Sequence, residues 1–255
     1  MFRQIRTIAF YTLLEALRNR LTWLIVAVAL AAIGLGGFLD SMAITEGRQI
    51  QAALVATFAR FAAVFILATF VVTSMAREFN DKGLELLLAQ ALPRAAYLFG
   101  KLFGYAAIAV VPALLFGLLM LLYAPPVQAA LWTVSLLCEL WIVAGFGLLC
   151  ILTFKNVLAA LSAAMAFYVG ARSIAAFQLI AQGQAEQQHA SQRLIGGVFD
   201  TLGAILPRLD EFTRTEWLVY HSGSMGDLPG ILIQTVICMA LIGGVALFDL
   251  YRKNI

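Results

Sequence analysis

The sequence is organised around residues 77–101, R-E-F-N-D-K-G-L-E-L-L-L-A-Q-A-L-P-R-A-A-Y-L-F-G-K, a charged stretch between two long apolar segments. Its charges place it in water at a membrane face. Gly83 opens a leucine-rich run, 84–88, that is too short to span a bilayer. Pro93 ends this run, because the residue before a proline disfavours helical geometry. The pattern predicts a short amphipathic helix on the membrane surface or in a groove of a partner protein.

The same stretch resembles the signature of one family, the type-2 permease subunits of ATP-binding cassette (ABC) exporters. In that family an Arg-Glu pair precedes a glycine-led turn of Leu and Glu, followed by Pro-x-Arg and then Gly-Lys. Here these elements are Arg77-Glu78, Gly83 to Ala89, Pro93-Arg94 without the intervening residue, and Gly100-Lys101. The resemblance implies a coupling helix that docks on a separate ATP-binding subunit. It assigns this coupling to Glu78, Gly83, Leu84, Glu85, Leu86, Leu87, Pro93 and Arg94. The alternative is a surface helix that only anchors the second and third spans.

The composition identifies an integral membrane protein. Of 255 residues, 62% are apolar and only 12% are charged, whereas soluble domains have about 25% charged residues. Spans of about 20 residues and their connections use up this length, so we expect a single transmembrane domain over residues 1–255. The three cysteines lie in apolar segments, and no disulfide framework is expected.

Six apolar segments predict an all-helical protein with six transmembrane helices. They cover residues 21–39, 52–76, 102–123, 129–153, 157–181 and 231–251. Residues 2–20 precede them and separate polar from apolar side chains on two helical stripes, which predicts an interfacial helix. Its apolar stripe consists of Phe2, Ile5, Ala9, Leu13 and Ala16. The family resemblance implies the same element, an N-terminal elbow helix.

The distribution of Lys and Arg predicts the orientation. With six spans, both termini, the 77–101 loop and the turn after the fourth span share one face. That face has eleven basic residues: Arg3, Arg6, Arg18, Arg20, Arg77, Lys82, Arg94, Lys101, Lys155, Arg252 and Lys253. The other face has four: Arg48, Arg193, Arg208 and Arg214. Since cytoplasmic loops carry the excess of basic residues, we expect cytoplasmic termini, in a bacterial inner membrane as in the family that the chain resembles.

Residues 182–230 form the longest segment on the opposite face. Apolar residues recur there at helical spacing and predict one or two amphipathic helices on or in the outer leaflet: Ile195, Phe199, Leu202, Leu206, Leu209 and Phe212. The family resemblance implies short re-entrant helices between the fifth and sixth spans. One branch of the family serves copper-enzyme maturation and passes force or sulfur species to a periplasmic partner. A partner at 182–230 is compatible with the sequence, which does not select that branch.

The chain lacks the motifs of a catalytic subunit. No Gly-x-x-x-x-Gly-Lys-Ser/Thr phosphate loop occurs, so we expect ATP and Mg²⁺ to be used by a partner. His189 and His221 are the only histidines and have no cysteine nearby, which predicts no metal site. The predicted spans hold no histidine to act as a base for a Ser or Cys nucleophile. We therefore expect no enzyme activity, no bound cofactor and no nucleic-acid partner.

Three charged residues lie deep inside predicted spans, well away from the span ends: Arg60, Glu139 and Arg172. Charges in hydrocarbon are costly, and they are usually paired or face water. Each lies 8 to 10 residues from the outer end of its span, about 12–15 Å at the helical rise, so we expect one Arg-Glu-Arg cluster. This cluster either locks spans two, four and five together as an ion network or lines the substrate route.

Taken with the resemblance, the sequence predicts the membrane-spanning subunit of an ABC transporter. The family works with two ATPase subunits and with a second permease copy, identical or similar, in a lipid bilayer. The first rival is an ion-coupled secondary transporter in which Glu139 carries the proton. The second is a structural membrane anchor for a complex.

Overall fold

The computed structural model describes residues 2–18, 21–42, 47–80, 93–184 and 206–252. Within these ranges the protein consists of helices and turns, with no strand, which confirms the all-helical prediction. In chain order the elements are α1 (Phe2–Arg18), α2 (Leu21–Met42), α3 (Gly47–Asn80), α4 (Arg94–Met120), α5 (Pro126–Phe154), α6 (Val157–Gln184), a 3₁₀ turn (Leu209–Glu211), α7 (Thr215–Val219), a second 3₁₀ turn (Met225–Asp227) and α8 (Leu228–Arg252).

Five helical stretches in the described ranges are long and apolar enough to cross a membrane. They are Arg48–Phe79, Arg94–Met120, Pro126–Phe154, Val157–Ile174 and Met225–Arg252. Helix α2 contains the predicted first span, but its described apolar stretch, Trp23–Phe38, is shorter than these. The protein is therefore a multi-pass membrane protein, and the six-span layout stays a prediction.

The helices extend beyond the segments that hydropathy marks. Helix α3 exceeds the predicted span 52–76 at both ends, and α4 begins at Arg94 rather than at residue 102. Hydropathy locates the edge of the hydrocarbon, whereas backbone hydrogen bonds carry a helix on into the polar region. Residues 77–80 and 94–101 of the charged stretch are therefore helical. The predicted centre of the coupling helix, 83–87, lies outside the described residues.

Polar contacts show which helix ends lie together. Arg94 at the start of α4 donates a hydrogen bond to the Leu250 carbonyl near the end of α8, at 2.9 Å. At the other end of the bundle, Gln128 in the first turn of α5 donates to the Gly223 carbonyl at 3.0 Å. We call the end with Arg94 and Leu250 the terminal end, and the end with Gln128 and Gly223 the opposite end.

Helix α5 lies at the centre of the bundle. It packs against α3, α4, α6 and α8, and its Trp132, Leu136 and Leu140 side chains are fully buried. Its first turn contains Pro126, where the missing N–H costs no helical hydrogen bond. In the apolar stretches Val157–Ile174 of α6 and Met225–Arg252 of α8, fewer than a third of the residues are buried. In a membrane, lipid or another chain would cover their exposed surface.

Helix α1 packs closely along the first half of α4. A Cβ atom added at Gly100 would lie 2.8 Å from Ile8 Cβ, and one added at Gly104 would lie 2.8 Å from Thr12 Cβ. The two helices run in the same direction here, because the contact of Ile8 with Gly100 is followed, four residues later in both helices, by the contact of Thr12 with Gly104. The small residues in α4 thus allow an approach that a larger side chain would prevent.

The buried face of α1 includes part of the predicted apolar stripe. Ala16 of that stripe is 3% exposed and Leu13 packs against the core, whereas Phe2 is 91% exposed and Thr12, which lies outside the stripe, is 1% exposed. Beside a lipid phase, an apolar side chain gains little by turning inward, so close packing decides which face is buried. The assignment of α1 as an elbow helix stays a prediction.

Candidate functional site

The buried charges of α5 and α6 form an ion pair. Arg172 Nη1 lies 3.1 Å from Glu139 Oε1, and Glu139 is fully buried. The arginine side chain is 15% exposed, so the pair as a whole is largely buried. The two residues lie at similar depths in their helices and face each other.

Thr213, in the loop before α7, completes this pair. Its hydroxyl donates to Glu139 Oε2 at 2.6 Å, so both carboxylate oxygens have a partner. Its backbone N–H donates to Ser135 Oγ at 2.8 Å. The residue is fully buried, and its φ of 43° lies in the left-handed region that β-branched residues rarely adopt. The fold therefore holds the loop in a strained conformation that positions this hydroxyl.

Both arginines hold the backbone of the same loop. Arg172 donates to the carbonyls of Leu209 at 2.8 Å and of Phe212 at 3.2 Å. Arg60 Nη1, from α3, donates to the Thr213 carbonyl at 3.1 Å. Arg60 is thus joined to the pair through Thr213, and no hydrogen bond between Arg60 and Glu139 occurs in the described structure.

The network has a net positive charge, with two guanidinium groups and one carboxylate. Loop carbonyls provide the remaining compensation, since they point partial negative charge at both arginines. Arg60 also lies over the Phe61 ring, 5.3 Å from its centroid. Tyr168 of α6 is buried and close enough to Glu139 and both arginines to interact electrostatically. The arrangement is suited to fastening the loop onto α3, α5 and α6.

Sequence reasoning missed Thr213 and Ser135. Neither has a charge or a periodic pattern, and the turn that places Thr213 has no sequence signature of a left-handed residue. One signal was available, because two buried arginines and one glutamate require further acceptors. The predicted apolar residues Leu209 and Phe212 are both buried in this loop. Leu206 is half-buried and packs against the core, whereas Ile195, Phe199 and Leu202 lie outside the described residues.

A second polar network lies at the terminal end, where the charged stretch begins. Glu78 near the end of α3 accepts hydrogen bonds from the Tyr97 hydroxyl and from Lys101 Nζ, both on α4. Lys101 is only 4% exposed, and its Nζ lies 5.9 Å from the Tyr105 ring centroid. The two helices that border residues 81–92 are therefore fastened to each other.

The same network includes the neighbouring helices. Glu15 of α1 accepts hydrogen bonds from Ser74 at 2.9 Å and from Arg77 at 3.1 Å, both on α3. Arg94 contacts α8 through the Leu250 carbonyl. Of the predicted coupling residues, the structure thus describes Glu78, Pro93 and Arg94, and it places Pro93 directly before the first residue of α4. Gly83, Leu84, Glu85, Leu86 and Leu87 lie outside the described residues.

The fold and these networks define a class, a multi-pass helical membrane protein without a metal-ligating cluster among its described residues. Comparison with family models is more specific. Residues 38–183, more than half of the chain, match the model of the ABC-2 family transporter proteins, and the chain belongs to this family. It is a permease, the membrane component of a transporter rather than a catalytic subunit. No curated protein matches the chain in a sequence comparison.

Proposed function

We propose that this chain couples ATP hydrolysis by a separate cytoplasmic ATPase to export or to force transmission across a bacterial inner membrane. In this proposal two ATPase subunits, which hold ATP and Mg²⁺, dock on residues 77–101 of this chain and of a second permease copy. Both termini are cytoplasmic. The family relationship supports it, because ABC-2 permeases typically work with an ATP-binding subunit.

One structural observation supports the proposal: the helix ends that flank the coupling segment are hydrogen-bonded to the rest of the bundle. Glu78 joins α3 to α4 through Lys101 and Tyr97, while Arg94 joins α4 to α8. Glu15 adds α1 to the same network. A push on residues 81–92 would therefore be distributed over four helices rather than absorbed by a loose loop.

The environment of Glu139 argues against the ion-coupled alternative. A proton carrier must exchange with water during its cycle, yet Glu139 is fully buried and has partners on both oxygens. The interactions with Arg172 and Thr213 favour a lasting structural role. The charge network thus supports a function that leaves the energy input to another subunit.

The test is co-purification of the ATPase with charge-reversed variants. We expect Glu85→Arg to lose the ATPase, because it reverses a charge in the docking surface implied by the family motif. The arginine would repel a basic residue of the ATPase or clash with its surface. The matched control is Glu216→Arg, an exposed glutamate at the opposite end, which should retain the ATPase. Both variants should elute from size exclusion as monodisperse particles.

Each outcome of this experiment is informative. Unchanged ATPase recovery with Glu85→Arg would overturn the coupling-helix assignment. Failure of the unaltered chain to recover any ATPase from its native membrane would favour the secondary transporter or the membrane anchor.

A further inference from the structure

A cleft opens between α1 and α3 at the terminal end of the bundle. Its lining consists of Tyr11, Leu14, Glu15, Arg18 and Arg77. Its volume of about 460 Å³ is within the range of about 300–1,000 Å³ typical of small-molecule sites. The cleft is open to the outside of the bundle and is distinct from the Arg60–Glu139–Arg172 network.

The two arginines lie where an apolar span meets its polar flank. Arg18 shortly precedes Leu21, the first residue of the apolar helix α2. Arg77 directly follows Ala76, the last residue of the apolar part of α3. Such boundary arginines lie at the depth of lipid headgroups, and their guanidinium groups reach toward phosphates.

The charges of the cleft leave room for one anion. Arg77 pairs with Glu15 at 3.1 Å while its side chain remains 53% exposed. Arg18 is exposed and has no ion pair in the described part of the chain. Two guanidinium groups and one carboxylate leave one positive charge, and guanidinium is the side chain best matched to phosphate oxygens.

The rest of the wall is apolar. Leu14 and Tyr11 are 37% and 67% exposed, so both present surface to a molecule in the cleft. A site with guanidinium groups beside an apolar wall, at headgroup depth, fits an amphipathic anion better than a small inorganic anion.

We propose that this cleft binds the headgroup of an anionic phospholipid. The phosphate lies between Arg18 and Arg77, and the first carbons of the lipid lie against Leu14 and Tyr11. The bound lipid bridges α1 and α3 beside the Glu15–Arg77 pair and so strengthens the attachment of α1 to the bundle. This inference does not depend on the ATPase partner.

Native mass spectrometry of the full chain tests the site. The protein is equilibrated in detergent micelles containing equal amounts of phosphatidylglycerol and phosphatidylcholine, and retained lipids are counted. We expect the unaltered chain to retain phosphatidylglycerol preferentially, and Arg18→Gln to lower that preference about fivefold, the effect of one basic residue at a membrane surface. Arg18→Gln together with Arg77→Gln should remove it.

Two controls make the result specific. The variant Arg3→Gln with Arg6→Gln removes two basic residues from the same helix but none from the cleft, and it should keep the preference. Inorganic phosphate in excess should not displace the lipid, because it gains nothing from Leu14 and Tyr11. The proposal would be overturned if the Arg3→Gln, Arg6→Gln control lost as much of the phosphatidylglycerol preference as the Arg18→Gln, Arg77→Gln variant. It would also be overturned if the unaltered chain showed no preference, or if inorganic phosphate displaced the lipid. Since Arg18 has no described ion pair, the single variant remains informative if Arg77→Gln disturbs folding.

Discussion

At the scale of single residues, the buried charges hold a loop as well as one another. Glu139 accepts hydrogen bonds from Arg172 and Thr213. Arg60 and Arg172 in turn donate hydrogen bonds to backbone carbonyls of residues 209–213. A polar group in hydrocarbon must find its partners within the protein. The loop supplies them, which explains how a cluster with unequal numbers of positive and negative charges is accommodated.

Removal of the carboxylate should therefore be costly. We expect Glu139→Gln to lower the stability of the protein in detergent by about 3–5 kcal/mol, because it leaves the buried Arg60 and the largely buried Arg172 without an anion. Thermal unfolding measures the effect. Glu211→Gln is the control, since Glu211 belongs to an exposed pair with Arg208 in the same loop, and such pairs contribute about 0–1 kcal/mol. Equal stability of Glu139→Gln and the unaltered protein would contradict the lock.

Thr213 provides a second test of the same network. We expect Thr213→Val to destabilise the protein by about 1–3 kcal/mol, because it keeps the shape of the side chain but removes the donor to Glu139. Thr213→Ser keeps the hydroxyl and should stay close to the unaltered protein in thermal unfolding. If both variants unfold at the same temperature as the unaltered protein, the hydroxyl has no structural role.

The sequence could predict only part of this site, and the reason is physical. Helical rise gives the depth of a residue within a span, and depth was sufficient to bring Glu139 and Arg172 together. The position of Thr213 depends on a turn whose left-handed residue follows from tertiary contacts rather than from local preference. Fold class follows from composition, whereas the partner of a buried charge in a loop does not.

At the scale of elements, α1 shows the limit of hydrophobic patterning in a membrane. Ile8 and Thr12 are seated over Gly100 and Gly104, while aromatic residues such as Phe2 and Phe10 face outward. In water the whole apolar stripe would face inward, but lipid is equally apolar, so only part of the stripe, including Leu13 and Ala16, packs on the bundle. The glycine pair of α4 marks where α1 approaches it most closely.

We expect Gly104→Ala to separate α1 from α4, because the new Cβ would lie 2.8 Å from Thr12 Cβ and 3.0 Å from its methyl group. Overpacking of this kind costs about 1–3 kcal/mol. Gly244→Ala is the matched control, since nothing lies within 4 Å of its added Cβ in α8. Limited proteolysis of α1 and thermal unfolding report the change. Equal resistance of the two variants would show that the close approach is not required.

At the scale of the whole molecule, α3 joins the two polar networks. It carries Arg60 toward the opposite end and Glu78 at the terminal end, 18 residues and about 27 Å apart along one continuous helix. A displacement of its terminal end would thus reach the loop held by Arg60. This connection supports the proposal that the charged stretch 77–101 receives the energy input.

Site-specific photo-cross-linking in intact cells tests that claim most directly. A photoreactive residue in place of Leu86, within the predicted coupling helix, should capture a cytoplasmic ATPase that mass spectrometry identifies by its phosphate-binding loop. The same residue in place of Met225, which is exposed at the opposite end, should capture none. Capture of the ATPase at position 225, or no ATPase adduct at 86 in a correctly folded chain, would contradict the account.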